Sequence, residues 1–249
     1  LATSPAVREY KTQLAAKGSE ATIVRVDRLD PAKNILAGFQ AYEMLLRQNP
    51  GLQGRVRFLA FLVPSRGGIE EYDRYAAGVF DLVARINASF GTPDWTPIEV
   101  CYEQNRDKAL AALSLYDVLL VNSVADGMNL VSKEGPIINE RNGVLVLSRN
   151  AGSYEELKGA AISIDPRDLR ETAQALKRAL SMKPKQRAEH AEMLRMLVKR
   201  HQLGDWQRHQ MNDLNVTSYL RSRPQSAQEI WGDTSPAAGR RLQLQGVDR

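Results

Sequence analysis

The stretch from Thr22 to Arg47, TIVRVDRLDPAKNILAGFQAYEMLLR, contains a strand, a loop and a helix. Its first five residues are mostly apolar and β-branched, which predicts a buried strand over 22–26. A polar loop follows over 27–34. The helix predicted over 35–47 has its apolar residues at helical spacing, namely Ile35, Phe39, Tyr42, Leu45 and Leu46. Such a unit is the building block of a parallel sheet.

The same alternation continues through the rest of the chain. Further strands are predicted over 56–63, 98–102, 117–122, 143–147 and 161–164. Helices are predicted over 4–17, 70–90, 106–116, from 128, over 168–180 and over 183–199. This order predicts an α/β fold, a doubly wound, Rossmann-like parallel sheet with helices on both faces. Ligands bind such sheets beyond the carboxyl ends of the strands, so the informative loops are 27–34, 64–68, 103–105 and 123–128.

The composition is that of a globular protein, with 43% apolar and 25% charged residues. We find no run of eighteen apolar residues that would predict a membrane-spanning helix. The single cysteine, Cys101, cannot form an internal disulfide and is interpreted as a packing residue, which fits a reducing cytoplasm. The net charge of +5 is spread among charges of both signs and few aromatics. We therefore expect a basic groove for phosphorylated small molecules and no nucleic-acid or membrane partner.

The composition changes near residue 217. We interpret 1–217 as one Rossmann-like domain and 218–249, rich in Ser, Pro, Gln, Gly and Arg, as a disordered tail. The chain starts at Leu1 without an initiator methionine, which indicates a fragment or a processed product. No residues have the spacing of metal ligands. The three histidines, His190, His201 and His209, are interpreted as surface or packing residues.

The segment DGMNLVSKE, from Asp126 to Glu134, is the strongest candidate site. A predicted strand leads into it and a predicted helix leads out. Gly127 would allow a tight turn and a close approach of a ligand, and the free amides at the helix start would suit a pyrophosphate. Asp126 would accept hydrogen bonds from sugar hydroxyls, and Glu134, about two turns into the helix, would reach a ribose. Alternatively, Asp126 only caps the helix and Glu134 is a solvated surface residue.

Two further loops carry cations. Arg28 and Lys33 follow the first strand, and two cations at this edge of a sheet would hold a diphosphate. Alternatively, they are surface cations that pair with Asp27 and Asp30. Arg66 lies on the glycine-flanked loop after the second strand and could bind the phosphate of a second substrate.

Several enzyme classes lack their motifs in this sequence. We find no Gly-x-Ser-x-Gly element, no Cys/His pair, no P-loop and no Gly-x-Gly-x-x-Gly after a strand. A dinucleotide-dependent dehydrogenase is therefore disfavoured. Retaining glycosyl transfer remains compatible, because there the protein mainly positions its substrates and stabilises charge on the departing diphosphate.

Five segments, in register along the chain, resemble the trehalose-6-phosphate synthase family. They are VDRLDPAK at 26–33, VPSRG at 63–67, WTP at 95–97, DGMNLVSKE at 126–134, and 142–157 with NGVLVLS, AG and EL. The resemblance covers about residues 1–215. It implies the C-terminal, donor-binding half of a retaining GT-B glycosyltransferase, which transfers glucose from UDP-glucose or GDP-glucose to glucose 6-phosphate and forms trehalose 6-phosphate without a cofactor or metal.

The resemblance also implies a role for each candidate residue. Arg28 and Lys33 would be the catalytic cations on the donor diphosphate, and Arg66 would bind the acceptor phosphate. The other implied donor contacts are Asp126 to the glucose hydroxyls, Glu134 to the ribose, and the main-chain amides of Gly127, Met128, Asn129, Leu130 and Val131 to the sugar and diphosphate.

Some positions depart from the family pattern. Ala125 stands where arginine is frequent, Asn34 where glycine usually follows the lysine, and Pro31-Ala32 where Tyr-Ser or Tyr-Thr is usual. The N-terminal acceptor domain is absent, so we expect this chain alone to be inactive. A related enzyme with another acceptor (a glucosylglycerol-phosphate synthase or a pseudoglycosyl transferase), a non-catalytic sugar-phosphate sensor and homo-oligomerisation all stay open.

Overall fold

The computed structural model describes residues 4–16, 18–200, 208 and 210–215. The chain divides after Arg200 into two units. In the second unit, residues 208 and 210–215 are helical. The interpretation of 218–249 as a disordered tail lies outside the described residues, and so do His201 and His209. Among the described residues, no helix is long and apolar enough to cross a membrane.

The first unit is built on a six-stranded sheet in the order β3-β2-β1-β4-β5-β6. All neighbouring strands run parallel. The strands are β1 (Ala21–Arg28), β2 (Val56–Val63), β3 (Ile98–Tyr102), β4 (Val118–Val121), β5 (Val144–Ser148) and β6 (Ile162–Ile164). The chain builds the sheet outward from β1 in one direction and then from β4 in the other, which confirms the doubly wound fold.

Eight helices are described in the first unit, and together they cover both faces of the sheet. They are α1 (Pro5–Ala16), α2 (Ile35–Gln48), α3 (Glu70–Phe90), α4 (Arg106–Leu115), α5 (Leu130–Ile138), α6 (Tyr154–Leu157), α7 (Leu169–Ser181) and α8 (Pro184–Arg200). Helices α2, α3 and α7 form one apolar core with the sheet, and α4, α6 and α8 pack in the core on the other face. The apolar residues predicted to face the core from α2 are all buried.

The observed elements match the predicted ones with small shifts that matter for the site. Arg28 is the last residue of β1, not a loop residue as predicted, because β1 pairs with β2 as far as Arg28 and Val63. Helix α5 begins at Leu130, two residues later than predicted. The turn of 3-10 helix at Pro31–Lys33 and the short α6 were not predicted.

A buried polar network joins elements at the amino ends of the strands. The carboxylate of Asp117 accepts hydrogen bonds from Thr22 N at 2.9 Å and from Arg187 Nη2 at 3.0 Å. Arg57, on β2, donates from Nη2 to Leu14 O at 2.6 Å at the end of α1. These contacts attach α1 and α8 to the sheet at the edge opposite to the candidate site.

The packing around Gly143 generates a stability prediction. A Cβ added at Gly143 would overlap the ring of the buried Tyr116. We expect Gly143→Ala to lower the free energy of unfolding by about 1–3 kcal/mol, the usual cost of overpacking a core. Gly159→Ala is the control, because a Cβ there meets no atom within 4 Å. Equal stability of the two variants in urea unfolding would contradict the prediction.

Candidate functional site

The candidate site lies where the order of the strands reverses, between β1 and β4. These two strands are neighbours in register at Ile23 with Val118 and Val24 with Leu119. The chain leaves β1 towards β2 on one side, and leaves β4 towards β5 on the other. Divergence of the two connections opens a crevice at the carboxyl edge, the usual place for a ligand in this fold. Residues 29–34 (the β1 loop) and 122–129 (the β4 loop) follow the two strands at this edge.

Hydrogen bonds hold the two loops together. Val124 N donates to Ala32 O at 2.9 Å. The amides of Asn34 and Asn122 are reciprocal partners: Asn34 Nδ2 donates to Asn122 O at 3.1 Å, and Asn122 Nδ2 donates to Asn34 O at 3.0 Å. Asn34 has a left-handed backbone, with φ of 56°. Asparagine and glycine both tolerate this conformation, so Asn34 is compatible with the backbone that the loop adopts here.

The structure pairs Lys33 with Asp126. The Lys33 Nζ donates to Asp126 Oδ2, and both side chains are mostly buried. The same oxygen accepts hydrogen bonds from Asn129 Nδ2 at 2.8 Å and Ser123 Oγ at 3.1 Å. Burial acts to raise the pKa of Asp126, but the bonds from Lys33 and Asn129 outweigh it and hold the pKa below its usual value. Asp126 is therefore a carboxylate at neutral pH, with an ammonium as its partner.

Asn129 connects this carboxylate to the start of α5. Its φ of 63° is left-handed, and its Oδ1 accepts from Ser132 N at 3.0 Å as the helix cap. The alternative that Asp126 caps the helix is therefore wrong. Since α5 starts at Leu130, Glu134 lies only about one turn into the helix, not two.

Gly127 lies at a bend, as predicted, but its φ is not left-handed, and the left-handed residue in this loop is Asn129. Glycine is required instead at Gly152, behind the loop. Gly152 N donates to Asp126 O at 3.0 Å, and a Cβ on Gly152 would overlap Gly127 O. A Cβ at Gly127 would meet no atom within 4 Å, so the space next to it is open. Met128 and Leu130 next to it are exposed.

Glu134 and Val131 line a cavity of about 200 Å³ at the edge of the crevice. Its other walls come from the ends of β1 and β2, from residues 103–106 and from α4. A larger cavity of about 520 Å³ lies beside α1, β2 and β3, and its lining includes Glu103 of the 103–105 loop but no residue of the 126–134 segment. Of these two cavities, only the smaller one is lined by residues of the 126–134 segment.

The two candidate arginines are not joined to the Lys33–Asp126 pair. The side chain of Arg28 is 56% exposed, and its guanidinium lies 3.6 Å from the carboxylate of Asp30. Arg66 has a left-handed φ of 47°, donates to Tyr72 OH at 2.9 Å and stacks over that ring. The structure thus brings Lys33 and Asp126 together, and shows Arg28 and Arg66 on their own loops with local partners.

Arg25 was not predicted as part of the site, whereas Asp27 was named as an alternative partner of the two loop cations. Arg25 and Asp27 form a buried ion pair at 2.9 Å directly beneath Lys33, whose Nζ lies 3.9 Å from Asp27 Oδ1. The available signal for Arg25 was a charged residue in the middle of a strand predicted to be buried.

The interpretation of Cys101 as a packing residue agrees with its half-buried thiol. Burial and the neighbouring Glu103 carboxylate raise the pKa of this thiol to about 11.

The contact between Asn129 and Asp126 predicts a change in titration. We expect Asn129→Gly, which keeps the left-handed φ, to raise the pKa of Asp126 because one donor to its carboxylate is lost. Since the folded pKa is lowered, Asp126 stabilises the fold fully above its unfolded pKa and loses this effect as the pH falls. The Asn129→Gly variant should lose this stabilisation at a higher pH than the wild-type chain does.

Carboxyl-carbon NMR during an acid titration would measure this shift. Asn105→Gly is the matched control, because Asn105 also caps a helix, through Lys108 N at 3.0 Å, without touching Asp126. An unchanged Asp126 midpoint in Asn129→Gly would contradict the prediction.

Residues 1–216 match the family model described as glycosyltransferase family 20. The chain is 37% identical over 211 residues to the UDP-forming alpha,alpha-trehalose-phosphate synthase of Schizosaccharomyces pombe, covering 84% of this chain and 41% of that protein. It is 36% identical over 199 residues to the trehalose-6-phosphate synthase of Sinorhizobium fredii, covering 79% and 43%. The chain therefore spans less than half the length of these relatives.

Solved structures agree with this assignment. The alpha,alpha-trehalose-phosphate synthase (UDP-forming) of Burkholderia xenovorans, in complex with glucose-6-phosphate, superposes with a TM-score of 0.78 at 32% identity, over 84% of this chain and 48% of that one. The trehalose-6-phosphate protein from E. coli bound with UDP-2-fluoro glucose gives a TM-score of 0.77 at 32% identity, over 85% and 47%. With the family model matching most of its length, this chain belongs to glycosyltransferase family 20.

Proposed function

We propose that this chain is the donor-binding half of a retaining GT-B glycosyltransferase that transfers glucose from a nucleotide diphosphate glucose to glucose 6-phosphate. The product would be trehalose 6-phosphate. The observation that carries the proposal is the contact of Lys33 with Asp126 at the reversal point of the sheet, together with the cavity that Glu134 lines. The names of the matched synthases support the same substrates.

In this proposal the donor replaces the ion pair between Lys33 and Asp126. Lys33 would pass from the Asp126 carboxylate to the diphosphate, where an ammonium stabilises the negative charge that develops as the bond to glucose breaks. Asp126, still ionised, would accept hydrogen bonds from the glucose hydroxyls. Each group would thus exchange one charged partner for a ligand group of matching chemistry.

The rest of the nucleotide would extend along the start of α5. The amides of the segment 127–131 would contact the sugar and diphosphate, since the first amides of a helix lack partners within the helix. Glu134 would hold the ribose hydroxyls at the mouth of the 200 Å³ cavity, and the base would enter it. No cofactor or metal is required by this scheme, because the leaving phosphate can accept the proton of the acceptor hydroxyl.

Arg28 and Arg66 would complete the site from the carboxyl edge of β1 and β2. Arg28 is exposed and only loosely paired with Asp30, so its guanidinium can turn to the diphosphate at little cost. Arg66 would bind the phosphate of glucose 6-phosphate. The acceptor domain of the same enzyme would close the crevice from the other side, and we place the enzyme in the cytoplasm.

A related enzyme with a different acceptor is the second candidate. Pro31-Ala32 and Ala125 differ from the usual family residues, and these two segments adjoin each other through the Val124–Ala32 hydrogen bond. Incubation of the full-length enzyme with UDP-glucose or GDP-glucose and a set of acceptors separates the two. Turnover of another acceptor, with no trehalose phosphate formed, would favour this candidate.

The charge roles predict a large kinetic effect. We expect Arg28→Ala combined with Lys33→Ala in the full-length enzyme to lower kcat by about 100-fold or more, because the leaving diphosphate loses its stabilising cations. Arg74→Ala is the control, since Arg74 is an exposed cation on α3 that pairs with Glu70. Unchanged kcat in the double variant would remove the basis of the assignment and favour a non-catalytic sensor.

The division of the site between two domains gives a further prediction. We expect the 249-residue chain alone to bind UDP-glucose weakly and to transfer glucose to no acceptor. One wall of the crevice cannot exclude water or orient the acceptor. A coupled assay for UDP release tests this, and steady turnover by the chain alone would refute it.

A further inference from the structure

Arg25 lies at the centre of β1 with none of its side-chain surface exposed. A buried guanidinium is costly unless charged and polar partners replace its water. Arg25 is separated from Asp27 by one residue, so both side chains project from the same face of the sheet, the face that α2 covers. What the guanidinium contacts therefore indicates why an arginine is placed there.

Its contacts converge on the segment that carries Lys33. Nε and Nη2 donate to Asp27 Oδ2 at 3.2 and 2.9 Å. Nη2 also donates to the main-chain carbonyl of Lys33 at 2.9 Å, and Nη1 to that of Ile35 at 3.4 Å. The planar guanidinium of Arg25 thus joins the carboxylate of Asp27 to the main chain on both sides of Asn34. The single ammonium of a lysine cannot make this set of contacts.

The helix that follows is shaped to admit this guanidinium. Gly38 lies at the end of the first turn of α2, and a Cβ there would lie 2.6 Å from Arg25 Nη1 and 3.2 Å from Asn122 Nδ2. The ring of Phe39, the next residue, lies 5.9 Å from the Arg25 Cζ. Arg25 therefore fills the space that a side chain at position 38 would occupy. This space adjoins Asn122, which joins the β1 and β4 loops.

The charges form an alternating row from the core to the crevice: Arg25, Asp27, Lys33 and Asp126. Burial raises the pKa of Asp27 in spite of the neighbouring Arg25 and Lys33, so its negative charge depends on those cations. Removal of Arg25 would weaken that charge and release the carbonyls of Lys33 and Ile35 together. Both changes act on the position of the Lys33 ammonium.

We infer that Arg25 is a positioning residue that fixes Lys33 for contact with the donor diphosphate, through Asp27 and through the backbone of residues 33–35. The inference rests on the proposed function, because it takes the diphosphate as the ligand of Lys33. Arg25 itself is covered by protein and does not touch the donor. Its effect on binding should therefore exist only while Lys33 is present.

The chain offers a matched control in Arg57. It is a second buried arginine, on the neighbouring strand β2, and it also donates to a main-chain carbonyl, that of Leu14. Its register partner is Thr22, at the opposite end of β1 from the site. Arg57→Gln removes the same chemistry from the core without touching the crevice.

The experiment measures UDP binding to the 249-residue chain by NMR titration, with uridine as the ligand that lacks phosphates. We expect Arg25→Gln to weaken UDP binding by about tenfold, as expected for groups coupled in one network, and to leave uridine binding unchanged. In a Lys33→Ala background, Arg25→Gln should have less than about a twofold effect. Arg57→Gln should lower stability without this selective loss of UDP.

A milder variant keeps the test valid if Arg25→Gln does not fold. Gly38→Ala retains Arg25 but displaces its guanidinium, and should also weaken UDP binding selectively. Gly78→Ala in α3 is its control, because a Cβ there meets no atom within 4 Å. The inference is overturned if the losses from Arg25→Gln and Lys33→Ala simply multiply, or if the folded Arg25 and Gly38 variants bind UDP as the wild-type chain does.

A failure of the proposed function would look different. In that case the wild-type chain would bind neither UDP nor uridine. The position of Lys33 would then be followed by reductive ¹³C-methylation of the lysines and NMR. A displaced Lys33 methyl signal in Arg25→Gln, with none in Arg57→Gln, supports the positioning role, and an unmoved signal overturns it.

Discussion

The site depends on the contact between the β1 loop and the β4 loop. Main-chain and asparagine hydrogen bonds join residues 32 and 34 to 122 and 124, and the Lys33–Asp126 ion pair closes the contact towards the crevice. In a doubly wound sheet these loops leave in opposite directions, so nothing in the chain connectivity keeps them together. The cross-loop bonds supply that constraint and bring groups 93 residues apart in sequence into direct contact.

The fold could be predicted because its signals are local. The strand Val56–Val63 is an almost continuous apolar run. The helix Glu70–Phe90 has apolar residues at helical spacing and glycine or proline beyond its ends. The predicted first and last residues of both elements were therefore correct. The sequence also predicted that Lys33 and Asp126 lie near each other, because both follow strands that end at the same edge of a parallel sheet. The sequence could not say that they pair with each other, because that depends on side-chain directions in two irregular loops.

What escaped prediction is what depends on tertiary context. Asn129 was taken as a helix residue with a useful amide, yet it adopts a left-handed backbone, caps α5 and binds the Asp126 carboxylate. Arg25 was counted within an apolar strand, and nothing local indicates that Gly38, thirteen residues later, leaves the space for its guanidinium. Such pairs depend on the packing between secondary-structure elements. Hydrophobic periodicity and secondary-structure propensity, on which the predictions rested, do not reveal them.

The mutual neutralisation of Lys33 and Asp126 has a consequence for selectivity. An anion without hydrogen-bond donors, such as chloride, must separate the Lys33 ammonium from the Asp126 carboxylate and offers that carboxylate no donor to replace the ammonium. A molecule with hydroxyl donors beside its phosphates satisfies both groups at once. The Asp126 carboxylate is thus a counter-ion that disfavours the binding of anions without donors to Lys33.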